Sequence, residues 1–488
     1  MSQEVEFVPL IIPTVMIPLT LISVGISVVA SFIAALFGVE LKMEGPKKFL
    51  EVLFKPKVLL SALFFNLIIW ATYVSWKWWM NYPKMLVTIE SELKKIQRPS
   101  NKMYTDAPTV QTHFVDPFTA QMSNLRFPRD SFQLQEVWKT QTSGAIFRAA
   151  VVSASSVFVG TDKGYIEELD LFSGKKFRSF YTGTAATSEL TIANQSLYTG
   201  EGIHDTHSAR VYRFNLKTGD LINTFQTRGH TEAQAVFSQF EEKSYLLLPA
   251  GGDGLYVLDA ITLNKIWHFN PGHMDAAVFI DKGVVYLGNG REKNDDKKNK
   301  CYAMALDLKT GKELWKRELA ASSWMRPVVW REEVCWIQGE IYFPSQRGHV
   351  TCFAKSDGAP LKSFHFTQPL AATPKVIGDS LLVTSLHGQI CRLSLLERKI
   401  EWCYETQEDQ TKSLAGASYD PQRDLVVYAS MTKGLFVLDA KTGALVKNWS
   451  PEDHTWSKTY ADVHTLTDYW IIVDESGLVR ALHPSFSK

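Results

Sequence analysis

The hydrophobic pattern changes character along the chain. Residues 7–39 contain no ionisable side chain, and a second apolar stretch covers residues 58–76. Each is long enough to cross a bilayer as a helix, the first with tilt or a partly interfacial start. Beyond about residue 130 the long apolar runs give way to short β-branched and aromatic ones, set between turn residues, which is the texture of strands. Between the two regimes, Met85, Ile89, Leu93 and Ile96 fall on one helical stripe. This predicts an amphipathic stalk, followed up to residue 130 by an irregular linker rich in Pro, Asn, Thr and Ser.

The first apolar stretch begins acidic, with Glu4 and Glu6, and is too long for a cleaved leader, so it reads as a retained helix. The second ends in Lys77, Trp78, Trp79 and Tyr82, side chains that favour a membrane interface. Lys42, Lys47, Lys48, Lys55 and Lys57 lie between the two spans, which places that loop in the cytoplasm and everything after Tyr82 on the other side. Ser23, Ser27, Ser31 and Ala35 recur every four residues and form a small-residue face against which a second helix can pack closely. Neither apolar interior carries a charged residue, so these spans predict an anchor in the lipid bilayer and not an ion path.

The strand region repeats. The phrase "DLKTGKELW" at Asp307 has counterparts beginning at Asp170, Asn215, Asp259, Ala354, Ser394 and Asp439, spaced by about 40 to 47 residues. Most copies are preceded by a second glycine turn, as in "GTDKGYI" at Gly160 and "SMTKGLF" at Ser430. Each unit is therefore four short antiparallel strands, a sheet that buries both faces only within a ring of its own kind.

These units, with Trp267, Trp315, Trp402 or Trp449 after the Thr-Gly turn, resemble the pyrroloquinoline-quinone-type propeller repeat over roughly residues 131–483. The resemblance implies a propeller whose repeat aromatic docks between neighbouring blades. Family members include quinoprotein dehydrogenases and the non-enzymatic lipoprotein of the outer-membrane barrel-assembly machine, and the likeness is closer to the latter. A dehydrogenase would be expected to carry a vicinal cysteine pair under its cofactor, and no two of Cys301, Cys335, Cys352, Cys391 and Cys403 are adjacent. No cofactor or metal is expected, and the chain reads as a non-enzyme.

The last unit supplies three strands from Asp462 onward, and its missing outer strand is available at residues 134–140, where Trp138 takes the repeat position. The expected organisation is an all-β propeller of about eight four-stranded blades (131–488). It is preceded by an anchor of two transmembrane α-helices (1–82) and a stalk with linker (83–130).

Composition narrows the partners. With 52 basic and 51 acidic side chains the charge is balanced, and nucleic acid is not expected. Two turns on the face opposite the Thr-Gly turns are expanded, one carrying His204, Asp205 and His207, the other, residues 290–300, carrying Arg291 and Lys293. Together with His230 and His273, just before the third and fourth units, they form the candidate partner-binding face. Cys391 and Cys403 lie equally far from the turn near Glu397, so an unbulged hairpin sets them opposite one another, as a candidate disulfide or as two buried thiols. The expected function is that of a protein-protein interaction or scaffold subunit of an envelope complex, anchored in the bacterial inner membrane with its propeller in the periplasm. A degenerate quinone-dependent dehydrogenase and a glycan-binding propeller are the alternatives.

Overall fold

The computed structural model describes residues 131–486, apart from residue 187 and segments 203–207, 292–298, 342–346 and 408–412. The two apolar stretches with the Ser23, Ser27, Ser31 and Ala35 face, the stalk and the linker lie outside the described residues. Among the described residues no helix is long and apolar enough to cross a membrane.

The described residues form eight four-stranded antiparallel sheets. Blades 1 to 7 take consecutive strands over residues 151–181, 191–227, 236–269, 279–319, 328–366, 375–405 and 418–449. Blade 8 takes His464–Thr465, Trp470–Val473 and Leu478–Phe486, and its outer strand is Phe132–Gln141. Phe132 sits opposite Phe486 and Gln141 opposite Leu478, so strands from both chain ends share one sheet and the ring has no open edge at the join.

Burial follows strand position. Second and third strands, such as Leu425–Ala429 and Leu435–Asp439, are buried along nearly their whole length, while outer strands such as Lys399–Glu405 are largely exposed. The apolar clusters span neighbouring sheets: Ile337 and Val350 of blade 5 pack with Val383 and Leu393 of blade 6, and Val479 and Ala481 of blade 8 with Val157 and Leu169 of blade 1. No sheet has a core of its own, so blades are stable only as a ring.

Two series of backbone hydrogen bonds define the faces. On the Thr-Gly face, each third-strand end returns to the preceding hairpin of its own blade, as Leu171 N to Ser155 O, Ala260 N to Ser244 O and Leu308 N to Gly283 O. On the opposite face, here the funnel face, connections between blades bond to the central turns, as Ala186 N to Thr161 O, Thr231 N to Glu201 O and Gly339 N to Ser322 O. The outer strand of blade 8 starts at the Thr-Gly face.

The Thr-Gly face explains the repeat. Asp307 Oδ1 accepts from the backbone N–H and hydroxyl of Thr310, and Asp259 and Asp439 make the same contacts with Thr262 and Thr442. The next residue takes positive φ, a glycine in most turns and Leu263 in blade 3, and at Gly311, Gly358 and Gly443 an added Cβ would stand 2.6 to 2.8 Å from a tryptophan ring of the preceding blade. The indole N–H then reaches a carbonyl of that turn: Trp138 to Leu171 O at 2.9 Å, Trp267 to Leu308 O at 2.8 Å, Trp315 to Lys355 O at 2.9 Å and Trp402 to Ala440 O at 3.1 Å. A β-bulge just before each tryptophan adds the twist that turns it toward the next blade.

Trp449 does not hold this position. The bulge in blade 7 pairs Val437 with Lys447 and Leu438 with Leu445, which places Trp449 two residues further along, beside Trp456. In blades 1, 2 and 5 the docking position holds Arg178, Asn223 and Lys362, each of which also donates to a carbonyl of the next blade's turn: Leu216, Thr262 and Arg398 respectively. The recurring element is a donor aimed at the next turn, and tryptophan is one way of supplying it.

Candidate functional site

The funnel face gathers its chemistry in the connections that lead into each innermost strand. Two of them share a phrase, Gly229-His230-Thr231-Glu232 and Gly272-His273-Met274-Asp275. Thr231 Oγ1 donates to Glu201 O at 2.9 Å, which fixes the first connection to the central turn of blade 2. Met274 exchanges backbone bonds with Gly251, and Gly290 N donates to His273 O, which fixes the second to blades 3 and 4. Gly251 has φ of 52°, and a Cβ there would stand 2.5 Å from the His230 ring, so glycine is required for this close approach.

The two histidines meet at one carboxylate. His230 Nε2 lies 2.7 Å from Asp275 Oδ1, and His273 Nε2 lies 2.8 Å from Asp275 Oδ2. Both histidines are buried, at 2% and 5% exposure, and the Trp324 ring stands edge-on to His273 at 5.7 Å. Burial by itself would raise the Asp275 pKa, but the two imidazole contacts outweigh it and hold the carboxyl well below the usual carboxylate range. The fixed acceptor at each Nε2 sets both rings in one orientation.

A second set of charged groups lies on the funnel face. Arg148, ahead of blade 1, pairs with Glu232, ahead of blade 3, at 3.3 Å. Lys375 of blade 6 pairs with Asp462, ahead of blade 8, at 2.8 Å, and Asp462 also accepts from Gly416 N. Glu189, ahead of blade 2, feels Arg326, ahead of blade 5. Burial pushes the Glu189 carboxyl up against the attraction of Arg326, and the same burial pushes Arg326 down against Glu189 and Asp462. Charged groups from non-adjacent blades thus lie within reach of one another on the funnel face, with opposite charges paired.

The residues singled out by sequence fall into three groups. His230 and His273 are brought together by Asp275, which sequence reasoning missed; the shared Gly-His-x-acid phrase was the available signal. Arg291, read as part of an exposed binding turn, is buried at 8% exposure with its guanidinium on the buried carboxylate of Glu340. Ser322 Oγ joins them at 3.0 Å from the Arg291 N–H and 3.0 Å from Glu340 Oε2. A buried ion pair braces the turn from within, so the Arg291 charge is not presented to a partner. His204, Asp205, His207 and Lys293 lie outside the described residues.

Cys391 and Cys403 lie opposite one another in blade 6 and are joined by a disulfide. Cys335 and Cys352 do the same in blade 5, a pairing that the sequence reading did not raise. Cys301 is buried and reduced, with Ser322 Oγ at 3.7 Å.

Comparisons with known proteins agree with this architecture. Residues 299–455 match the PQQ_2 family model, described as outer membrane protein assembly factor BamB. The crystal structure of BamB from Moraxella catarrhalis superposes with a TM-score of 0.55 at 12% identity, over 72% of this chain and 100% of that one. The computationally designed Ika8 protein gives a TM-score of 0.55 at 13% identity, over 72% of this chain and 99% of its own. No curated protein sequence matches the chain. A natural assembly factor and a designed ring match equally well, so these likenesses speak to fold. The described residues form an eight-bladed propeller, and the stretch 299–455 within it resembles the BamB family model.

Proposed function

We propose that this chain is a membrane-anchored, non-enzymatic scaffold subunit that holds another envelope protein on an extracytoplasmic propeller. The observation that carries this reading is the charge pairing on the funnel face. Arg148 pairs with Glu232, and Lys375 with Asp462, so the innermost connections of the funnel face are tied to one another by the protein's own charged side chains and offer no unpaired charge of these four to a small ligand. What remains for recognition is the broad surface of the funnel face, a format suited to a macromolecule. The match to an outer membrane protein assembly factor supports the same reading. Residues 7–39 and 58–76 supply the anchor in the bilayer, and the lysines between them put the propeller across the membrane from the cytoplasm. In a bacterial inner membrane that side is the periplasm, an oxidising compartment in which both disulfides persist.

Purification of the full chain from its native membrane in mild detergent, with mass spectrometry of what accompanies it, tests the proposal. A defined membrane partner in fixed ratio is expected. Charge reversal at exposed Lys163 on the funnel face should reduce its recovery, and Lys309→Glu on the opposite face should not. Partner loss on Lys309→Glu alone, or quinone-dependent oxidation by the purified protein, would overturn it. An impermeant thiol reagent should label Lys300→Cys in intact spheroplasts; labelling only after lysis would reverse the topology.

A further inference from the structure

We infer that His230, His273 and Asp275 form a binding site for one divalent transition-metal ion of the zinc class, joining the connections that lead into blades 3 and 4. The three ligand atoms, one from each residue, all lie within 4.8 Å of one another. They come from two separate chain segments, each tied to a neighbouring turn by backbone hydrogen bonds, so the donors are positioned before any ion arrives. Preorganisation of this kind lowers the cost of ordering ligands on binding.

The donor set selects the ion. Two imidazoles and one carboxylate suit zinc, cobalt, nickel or copper, whereas calcium and magnesium favour sites made wholly of oxygen. Tetrahedral zinc with bonds of about 2.0 to 2.2 Å holds its donors about 3.3 Å apart. The nitrogen-to-oxygen distances of 2.7 and 2.8 Å are those of the hydrogen-bonded, ion-free arrangement. Opening them takes about half an ångström, within reach of small χ rotations inside one rotamer well. On binding, each Nε2 gives up its hydrogen bond to Asp275 and ligates the metal as a neutral imidazole with its proton on Nδ1, and the carboxylate gains a cationic partner.

Two other groups in the described region lack this combination. The sulfurs of Cys335 and Cys352 beside Glu333 are committed to a disulfide, so they offer no thiolate. His349 and His365 face each other with their Nδ1 atoms 2.9 Å apart on the third and outer strands of blade 5, but no third ligand joins them among the described residues. The inference does not rest on the scaffold proposal, since the ion would cross-link two connections whether or not a partner binds.

The test uses the full chain in detergent, without a histidine tag, stripped by a chelator and titrated with Zn2+ and Co2+. One equivalent of either ion should bind, with the visible absorption of four- or five-coordinate cobalt, and zinc should raise the melting temperature. Asp275→Asn and His273→Gln should each weaken binding by about 10-fold or more and remove the thermal shift. X-ray absorption of the zinc-loaded wild type should show two imidazole ligands, a readout that needs no variant to fold. Substoichiometric binding, or unchanged affinity in both variants, would overturn the assignment. So would a variant replacing His204 and His207 that abolishes binding while Asp275→Asn retains it.

Discussion

On the Thr-Gly face the same contact recurs at seven junctions, where a donor on one blade reaches a carbonyl in the turn of the next. On the funnel face each junction differs. Blades 3 and 4 bring two histidines to one aspartate, blades 4 and 5 share a buried Arg291–Glu340 pair, and the connections ahead of blades 1, 2, 3, 5 and 8 contribute charges that meet on this face. Contacts that build the ring must be satisfied at every junction, so they repeat. Chemistry that serves a site needs to occur only once. The comparison assigns stability to the repeated face and candidate function to the departures from repetition.

The harshest test of that division removes the strand that closes the ring. A propeller fragment beginning at Thr142 lacks Phe132–Gln141, and with it the Trp138 contact to the turn of blade 1. It also strips Glu136 from Arg480, whose guanidinium is almost wholly buried, and a buried charge without its partner is strongly destabilising. Aggregation or loss of a cooperative thermal transition is expected, where a fragment beginning at Ser131 melts cooperatively. Equal melting of the two would refute the closure.

Trp315→Ala probes one junction. The ring packs on Trp336 and Phe353 and on the Gly358 turn, so its removal should leave a cavity and cost about 3 to 5 kcal/mol, read as a fall in denaturation midpoint at unchanged slope. Lys163→Glu on the funnel face should change stability by less than about 0.5 kcal/mol, because it alters an exposed turn. A comparable loss from both would erase the distinction between the faces.

These contrasts also show which features sequence could reveal. The Thr-Gly turns and docking tryptophans recur, and their period disclosed the blade and its face. Recurrence misled at Trp449, because the bulge counts from the strand pairing and not from the turn motif, and it concealed Arg178, Asn223 and Lys362, which serve the same contact with different chemistry. The single-copy features were harder to read. Glu340 lies 49 residues from Arg291, and nothing local marks it as a partner. Asp275 is two residues from His273, but only the packing of blade 4 against blade 3 sets it against His230, 45 residues away.

The disulfides provide a test of intermediate size. Each joins opposed residues within one blade, over separations of 12 and 17 residues, so each constrains a short loop of the unfolded chain. Replacing Cys391 and Cys403 together by alanine should cost about 2 to 3 kcal/mol. Peptide mapping of protein alkylated before lysis should find both bonds intact, and full alkylation of all five cysteines under denaturing conditions would contradict them.

The smallest predicted effect tests whether the repeated face is governed by geometry or by charge. Asp307 Oδ1 accepts from the backbone N–H and hydroxyl of Thr310, both at the exposed turn. The Thr310 hydroxyl bond, with backbone N–H groups and Lys309 adding to it, holds the Asp307 carboxyl below its usual pKa. Removing the acceptor with Asp307→Ala should cost about 1 kcal/mol, the ordinary worth of a capping side chain. Asparagine should restore most of that loss, because Asn215 already fills the equivalent place in blade 2 and accepts from Lys217 N at 2.9 Å and Thr218 N at 3.0 Å. The two residues separate with pH. A carboxyl whose folded pKa is depressed stabilises the fold above its unfolded value, near 3.9, and loses that contribution as pH falls through the folded pKa. The Asp307→Asn variant should therefore lie slightly below the wild type at neutral pH and fall off less steeply in acid, so that the gap between them closes. Asparagine as costly as alanine at pH 7 would mean that the turn depends on the negative charge and not on a correctly placed acceptor.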